Sequence, residues 1–225
     1  LFPMSMLVAS PTQWREANAI GELRFNGATV CASLVGRGLS CWGNVAAGGA
    51  GVGRYPRGWH GEWVFGLDGP AHCAGAACDL SIAAGRGGVC ALRANGEIAC
   101  WIGAPLGDSL TTQRVAPRSV IGVSDAVSVS IGETHACAVV RSGEVHCWGS
   151  SAFGALGGDP PSWEMREAPR PARGVTDAVA VACAPGRTLA LRRGGGLLAW
   201  GAAPSIPRPH PDEAPIVKVP RGGTN

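Results

Sequence analysis

The strongest constraint on this chain is a hairpin that it repeats. In His135-Ala136-Cys137-Ala138-Val139-Val140-Arg141-Ser142-Gly143-Glu144-Val145-His146-Cys147-Trp148-Gly149, two alternating apolar runs meet at a turn containing Ser142-Gly143, the pattern of a β-hairpin. If Arg141-Ser142-Gly143 is a three-residue loop closed by a left-handed glycine, Val140 faces Glu144, Val139 faces Val145 and Cys137 faces Cys147. The segment Cys90 to Trp101 keeps the cysteine spacing and the turn glycine, Gly96, and places Arg93 opposite Glu97 as a favourable cross-strand pair. A third copy runs from Cys31 to Cys41 and on into Trp42-Gly43; Arg37 stands where glycine is expected, so its loop is expected to shift by one residue. The fourth copy, Leu189 to Gly201, keeps the turn and Trp200-Gly201 but has Leu189 and Ala199 at the cysteine positions. The paired positions therefore face an apolar interior, beside Val139 and Val145, Leu92 and Ile98, or Leu191 and Leu197.

The hairpin cores begin at residues 31, 90, 137 and 189, a spacing that belongs to propellers and arrays. The unit Val123-Ser124-Asp125-Ala126 through Cys137, then the hairpin, then Trp148-Gly149-Ser150-Ser151-Ala152-Phe153-Gly154-Ala155-Leu156-Gly157, resembles a repeat of the regulator of chromosome condensation family. The resemblance is strong over 120–158 and good over 78–107. It is weaker over 19–50 and 175–203, where the loop after Trp200-Gly201 runs into proline. It implies an all-β fold: a β-propeller of repeats of about fifty residues, each a four-stranded blade. Members usually close with about seven blades, so four repeats imply a partial or few-bladed propeller. The organisation expected is a remnant of a preceding repeat or a leader at 1–18, repeat 1 with a long insertion at 19–77, and repeats 2, 3 and 4 at 78–122, 123–174 and 175–213. Residues 214–225 are then a strand of a next repeat or of ring closure. With 35 glycines and 17 prolines, turns dominate, and no stretch sustains helical periodicity for more than two turns.

Six of the nine cysteines fall into the pairs Cys31 and Cys41, Cys90 and Cys100, and Cys137 and Cys147. A cross-strand disulfide closing such a loop contributes somewhat under ~3 kcal/mol on the chain-entropy model. The alternative is free thiols packed as small hydrophobes. Identical spacing three times favours the disulfides and, with them, an extracellular or envelope location. Cysteine-paired hairpins of this kind also resemble the bacterial, exported branch of the family. Cys73 and Cys78 are candidates for a fourth bridge. Cys183 is left over; aligned with Ile131, it is expected to be an inert core thiol. Neither His72, Cys73 and Cys78 nor His135, Cys137, His146 and Cys147 has the close-pair spacing of a zinc site, so no metal or cofactor is expected.

A net charge of +3 without any basic run, Lys218 being the single lysine, gives no signature of nucleic-acid binding. No run of about twenty apolar residues exists to span a membrane as a helix. Nucleophile-elbow, phosphate-loop and metalloprotease motifs are absent, so a non-enzyme is expected, although a propeller can host catalysis. Trp42, Trp101, Trp148 and Trp200 recur at one repeat position and read as packing residues. Function is expected on the variable loops. Residues 51–77 hold Tyr55 and Trp59, with Trp63 and Phe65 equally readable as strand residues; residues 158–170 hold Trp163, Met165 and Arg166. Tyr55, Trp59, Trp163 and Arg166 are the partner-binding candidates, being of the types enriched in binding hot spots. The expected function is a non-catalytic scaffold for protein–protein binding outside the cytoplasm. The resemblance also implies two alternatives, a secreted inhibitor like β-lactamase inhibitory protein and a guanine-nucleotide exchange factor-like regulator.

Overall fold

The structure, a computed structural model, describes residues 20–25, 29–34, 38–43, 62–68, 81–101, 116–158 and 165–202. These residues form four antiparallel sheets. The first holds β1 (Ile20–Phe25), β2 (Thr29–Leu34), β3 (Gly38–Gly43) and β4 (Glu62–Asp68); the second holds β5 (Ser81–Gly85), β6 (Gly88–Leu92), β7 (Ile98–Trp101) and β8 (Arg118–Ser119). The third holds β9 (Ala126–Ile131), β10 (His135–Val140), β11 (Val145–Ser150) and β12 (Met165–Pro171), and the fourth β13 (Ala178–Ala184), β14 (Arg187–Arg192) and β15 (Leu197–Gly201). In every sheet the strand order follows the chain, so each is a meander. The molecule is all-β, an arc of propeller blades.

Loop length fixes the hairpin register. In the third sheet Cys137 faces Cys147 and Val139 faces Val145, while Val140 N–H donates to the Glu144 carbonyl and Gly143 N–H to the Val140 carbonyl. Gly96, Gly143 and Gly195 all have positive φ, a region in which a side chain would be strained. The one-residue shift expected of the first hairpin does not occur: Leu34 faces Gly38 and Cys31 faces Cys41, the same register as its siblings. The three intervening residues, 35–37, lie outside the described residues. Two further segments find their places. Trp63 and Phe65 lie in β4, with Trp63 opposite Ser40 of β3. Arg118 and Ser119 close the second sheet against Cys100 and Ala99. Residues 214–220 lie outside the described residues.

The sheets stack by one rule. The cysteine-bearing face of each packs on the tryptophan-bearing face of the next. Cys31, Leu39 and Cys41 meet Val89, Ala91 and Trp101; Cys90, Leu92, Ile98 and Cys100 meet Ala136, Ala138 and Trp148. In the third stack, Cys137, Val139, Val145 and Cys147 meet Ala190, with Leu198 and Trp200 at the margin. Backbone bonds lock the stack at the hairpin turns: Ala126 N–H donates to the Gly96 carbonyl and Ala178 N–H to the Gly143 carbonyl. In the fourth sheet the equivalent face is open, with Leu191 38% and Leu197 66% exposed.

Candidate interaction face

The first strands of the sheets touch in succession, β1 with β5, β5 with β9 and β9 with β13. They therefore line the axis of the arc. Because each sheet is a meander, every connection leaving an odd-numbered strand emerges at the same end of the stack. That end carries the turns between β5 and β6 and between β9 and β10, and it anchors the segments joining β3 to β4, β7 to β8 and β11 to β12. Tyr55 and Trp59 belong to the first of these segments and Trp163 to the last; all three lie outside the described residues. Arg166 is in β12, opposite Gly149, next to Met165 opposite Ser150. Met165 is 43% exposed.

Between β11 and β12 the small-residue run forms a short 3₁₀ turn at Ala152–Gly154. Ser151, Ala152, Ala155 and Leu156 are buried, Gly154 N–H donates to the Ser151 carbonyl, and the Ala155 carbonyl accepts from both Thr188 Oγ1 and Trp200 Nε1 at 2.8 Å. A β-carbon on Gly157 would fall 2.7 Å from Trp200 Nε1, so this turn requires glycine there. The anchored loop holds Phe153 outward, 54% exposed, at φ +60, uncommon for a residue with a side chain. Its ring covers Gly186 of the fourth sheet, where an added β-carbon would come within 2.9 Å of Phe153 Cδ2. Nearby turns are joined by Arg86 and Glu133 at 3.5 Å. Phe153 is missing from the sequence-based candidates. Its signal was available: a lone aromatic in a run of small residues that has no strand to bury it.

Beneath this face is a buried polar seam between the third and fourth sheets. His135, the first residue of β10 and fully buried, makes a 2.8 Å hydrogen bond from Nε2 to Thr188 Oγ1. With the Thr188 hydroxyl proton directed to the Ala155 carbonyl, His135 Nε2 takes the donor role in their shared bond. That network assigns the tautomer and leaves Nδ1 without a partner among the described residues. Burial pulls the imidazole down to about 4, so it is neutral at physiological pH. Cys183, the free cysteine among the described residues, donates from N–H to Ser130 Oγ at 2.9 Å and from its thiol to the Ser130 carbonyl at 3.5 Å. Burial pushes its thiol up to about 12. His135, Cys137 and Cys183 bring their donor atoms within 4.8 Å of one another, but the Cys137 sulfur is committed to a disulfide. The three hairpin pairs Cys31–Cys41, Cys90–Cys100 and Cys137–Cys147 are bonded; Cys73 and Cys78 lie outside the described residues. His146 stands apart from this cluster, half-buried, 4.0 Å from Glu144.

Residues 126–155 match the family model described as the regulator of chromosome condensation (RCC1) repeat. No curated protein matches the chain. Among solved structures, human WBSCR16 is similar with a TM-score of 0.66 at 21% identity, over 81% of this chain and 47% of that one. Yeast RCC1 (Prp20) is similar with a TM-score of 0.66 at 20% identity, over 85% and 45%, and a second structure of Prp20p from Saccharomyces cerevisiae gives 0.66 at 21%, over 85% and 46%. The chain thus spans a little under half the length of these proteins. At such identities the likeness establishes the fold, a β-propeller of the RCC1 type. Among the described residues no helix is long and apolar enough to cross a membrane.

Proposed function

We propose that the chain is a non-catalytic propeller scaffold that binds another protein through the loop-bearing end. The observation that carries this reading is the presentation of Phe153 and Met165, both large, apolar and exposed, at the end from which the long connections leave. Phe153 sits on a loop fastened by two buried-side hydrogen bonds to one carbonyl, so it is pre-organised and loses little freedom on binding. The solved relatives support the class: one structure is of yeast RCC1 bound to Kap60, and another is described together with the binding of Prp20p to Gsp1p and histones. Three hairpin disulfides support a location outside the cytoplasm, where such bonds persist.

The test is an affinity purification from the extracellular fraction of the source, followed by titration of the purified partner. Phe153→Ala combined with Met165→Ala is expected to weaken binding at least tenfold, as is Trp163→Ala. Ile121→Ala, at the opposite end and 66% exposed, should leave affinity unchanged. The reverse ranking would place the interface elsewhere. An inhibitor and an exchange-factor-like regulator differ from this reading in the partner and the outcome, enzyme activity abolished in one and nucleotide released in the other.

A further inference from the structure

We propose that Cys137 is a shared sulfur, bonded to Cys147 in the structure and transferable to Cys183, so that the third and fourth sheets can be joined covalently through a Cys137–Cys183 disulfide. The fourth sheet has no hairpin disulfide of its own, with Leu189 facing Ala199. Its one cysteine lies instead on the inner strand β13, turned toward the preceding sheet. There the Cys183 sulfur sits within 4.8 Å of the Cys137 sulfur, and two contacts to Ser130 hold it in place, backbone N–H to Oγ and thiol to carbonyl. The third sulfur thus faces the bridge across a blade-to-blade seam. Thr188 Oγ1, 3.7 Å from Cys137 Sγ, and the buried His135 complete the pocket.

The transfer needs no oxidant. The Cys183 thiolate attacks the Cys137 sulfur; the Cys137–Cys183 bond forms, the Cys137–Cys147 bond breaks, and its electron pair leaves on Cys147, which takes up the proton that Cys183 lost. The number of disulfides is unchanged, but a bond that stapled one hairpin now staples two blades. Burial of Cys183 keeps its thiolate scarce at neutral pH, which makes the exchange slow there and about tenfold faster for each pH unit of increase. The intra-hairpin bond is thereby protected kinetically until base, or a local opening of the seam, exposes the attacking sulfur.

The experiment follows the natively oxidised chain at pH 7 and pH 9 in a glutathione redox buffer, with acid quenching, alkylation, digestion and peptide mapping. At pH 7, of the seven described cysteines, Cys183 alone is expected to be alkylated. At pH 9 a peptide pair joined through Cys137 and Cys183 should appear, with Cys147 alkylated in equal yield. In Cys147→Ser, oxidation should join Cys137 to Cys183 and raise the Tm above that of the same variant reduced; in Cys183→Ser no alkylation of Cys147 should occur at either pH. Alkylation of Cys183 without any alkylation of Cys147 at both pH values would overturn the proposal, even if Cys147→Ser failed to fold. Bridges from Cys183 to Cys31, Cys41, Cys90 or Cys100 in comparable yield would also overturn it, because they would mark exchange through the unfolded chain.

Discussion

His135 begins β10 with its imidazole sealed between two sheets, and the consequence is a titration that the fold opposes. A histidine held at about 4 when folded and near 6.5 when unfolded binds its proton more readily in the unfolded chain, so stability falls as pH drops through that window. Above about 6.5 the term is fully present; between about 6.5 and 4 it is lost, amounting to about 3 kcal/mol. Urea unfolding at pH 7.5, 6, 5 and 4.5 should show this slope in the native chain. His135→Gln is expected to cost about 1–3 kcal/mol at pH 7.5 through the broken link to Thr188, and to flatten the slope. An unchanged slope would mean that the acid sensitivity comes from other groups. Nothing in the spacing around His135 announces this role. Its partner, Thr188, lies in the next repeat and is reached across a sheet seam that period-2 alternation does not encode. The place of Cys183 was legible for the opposite reason, since its alignment with Ile131 is a property of one strand, but where Ile131 is buried Cys183 is only partly so.

Hairpins are the unit that the sequence specifies most fully here, since turn length and alternation together fix both register and face. What they leave open is which surface the turn itself meets. The structure gives the turn glycines unequal neighbours. A β-carbon on Gly143 would lie 2.5 Å from the Thr176 carbonyl, whereas on Gly195 it would meet nothing within 4 Å, although the two φ values are +94 and +83. Both substitutions by alanine carry the strain of a left-handed backbone, about 1 kcal/mol. Only Gly143→Ala also forces the third hairpin off the segment that starts the fourth sheet, where Ala178 N–H bonds the Gly143 carbonyl and Arg193 N–H bonds the Asp177 carbonyl. Gly195→Ala is therefore expected to cost about 1 kcal/mol and Gly143→Ala at least ~1 kcal/mol more, measured by denaturant midpoint at constant m-value. Equal costs would mean that the turn does not seat on the neighbouring sheet. The seat explains why Ser124-Asp125-Ala126 and Thr176-Asp177-Ala178 recur, a motif whose repetition the sequence displays without its purpose. Arg192 adds a two-pronged bond to Asp177 at 2.8 and 2.9 Å, holding that carboxyl below its usual range.

At the scale of the whole arc, stability is a sum of sheet terms and sheet-to-sheet terms, and the same residue type is worth different amounts at different steps. Ile98 in the second sheet and Leu197 in the fourth occupy the same place in their hairpins, opposite Leu92 and Leu191. Yet Ile98 is 1% exposed and Leu197 66%, because only the former is covered by a following sheet. Truncating Ile98 to alanine removes buried methyl groups and leaves a cavity, a cost of about 2–5 kcal/mol; Leu197→Ala should cost under about 0.5 kcal/mol. Leu197 and Leu191, with Leu189 and Ala199 on the same face, form an apolar patch of the kind that promotes association. Leu197→Lys is accordingly expected to leave the unfolding midpoint within experimental error while reducing concentration-dependent self-association in sedimentation velocity. A Leu197→Ala cost close to that of Ile98→Ala would show that this face is covered in solution. The pairing of faces was readable from Leu189 and Ala199, which replace the fourth cysteine pair and mark the position as apolar. Its exposure was not, because alternation reports which residues share a face and says nothing of what the face meets.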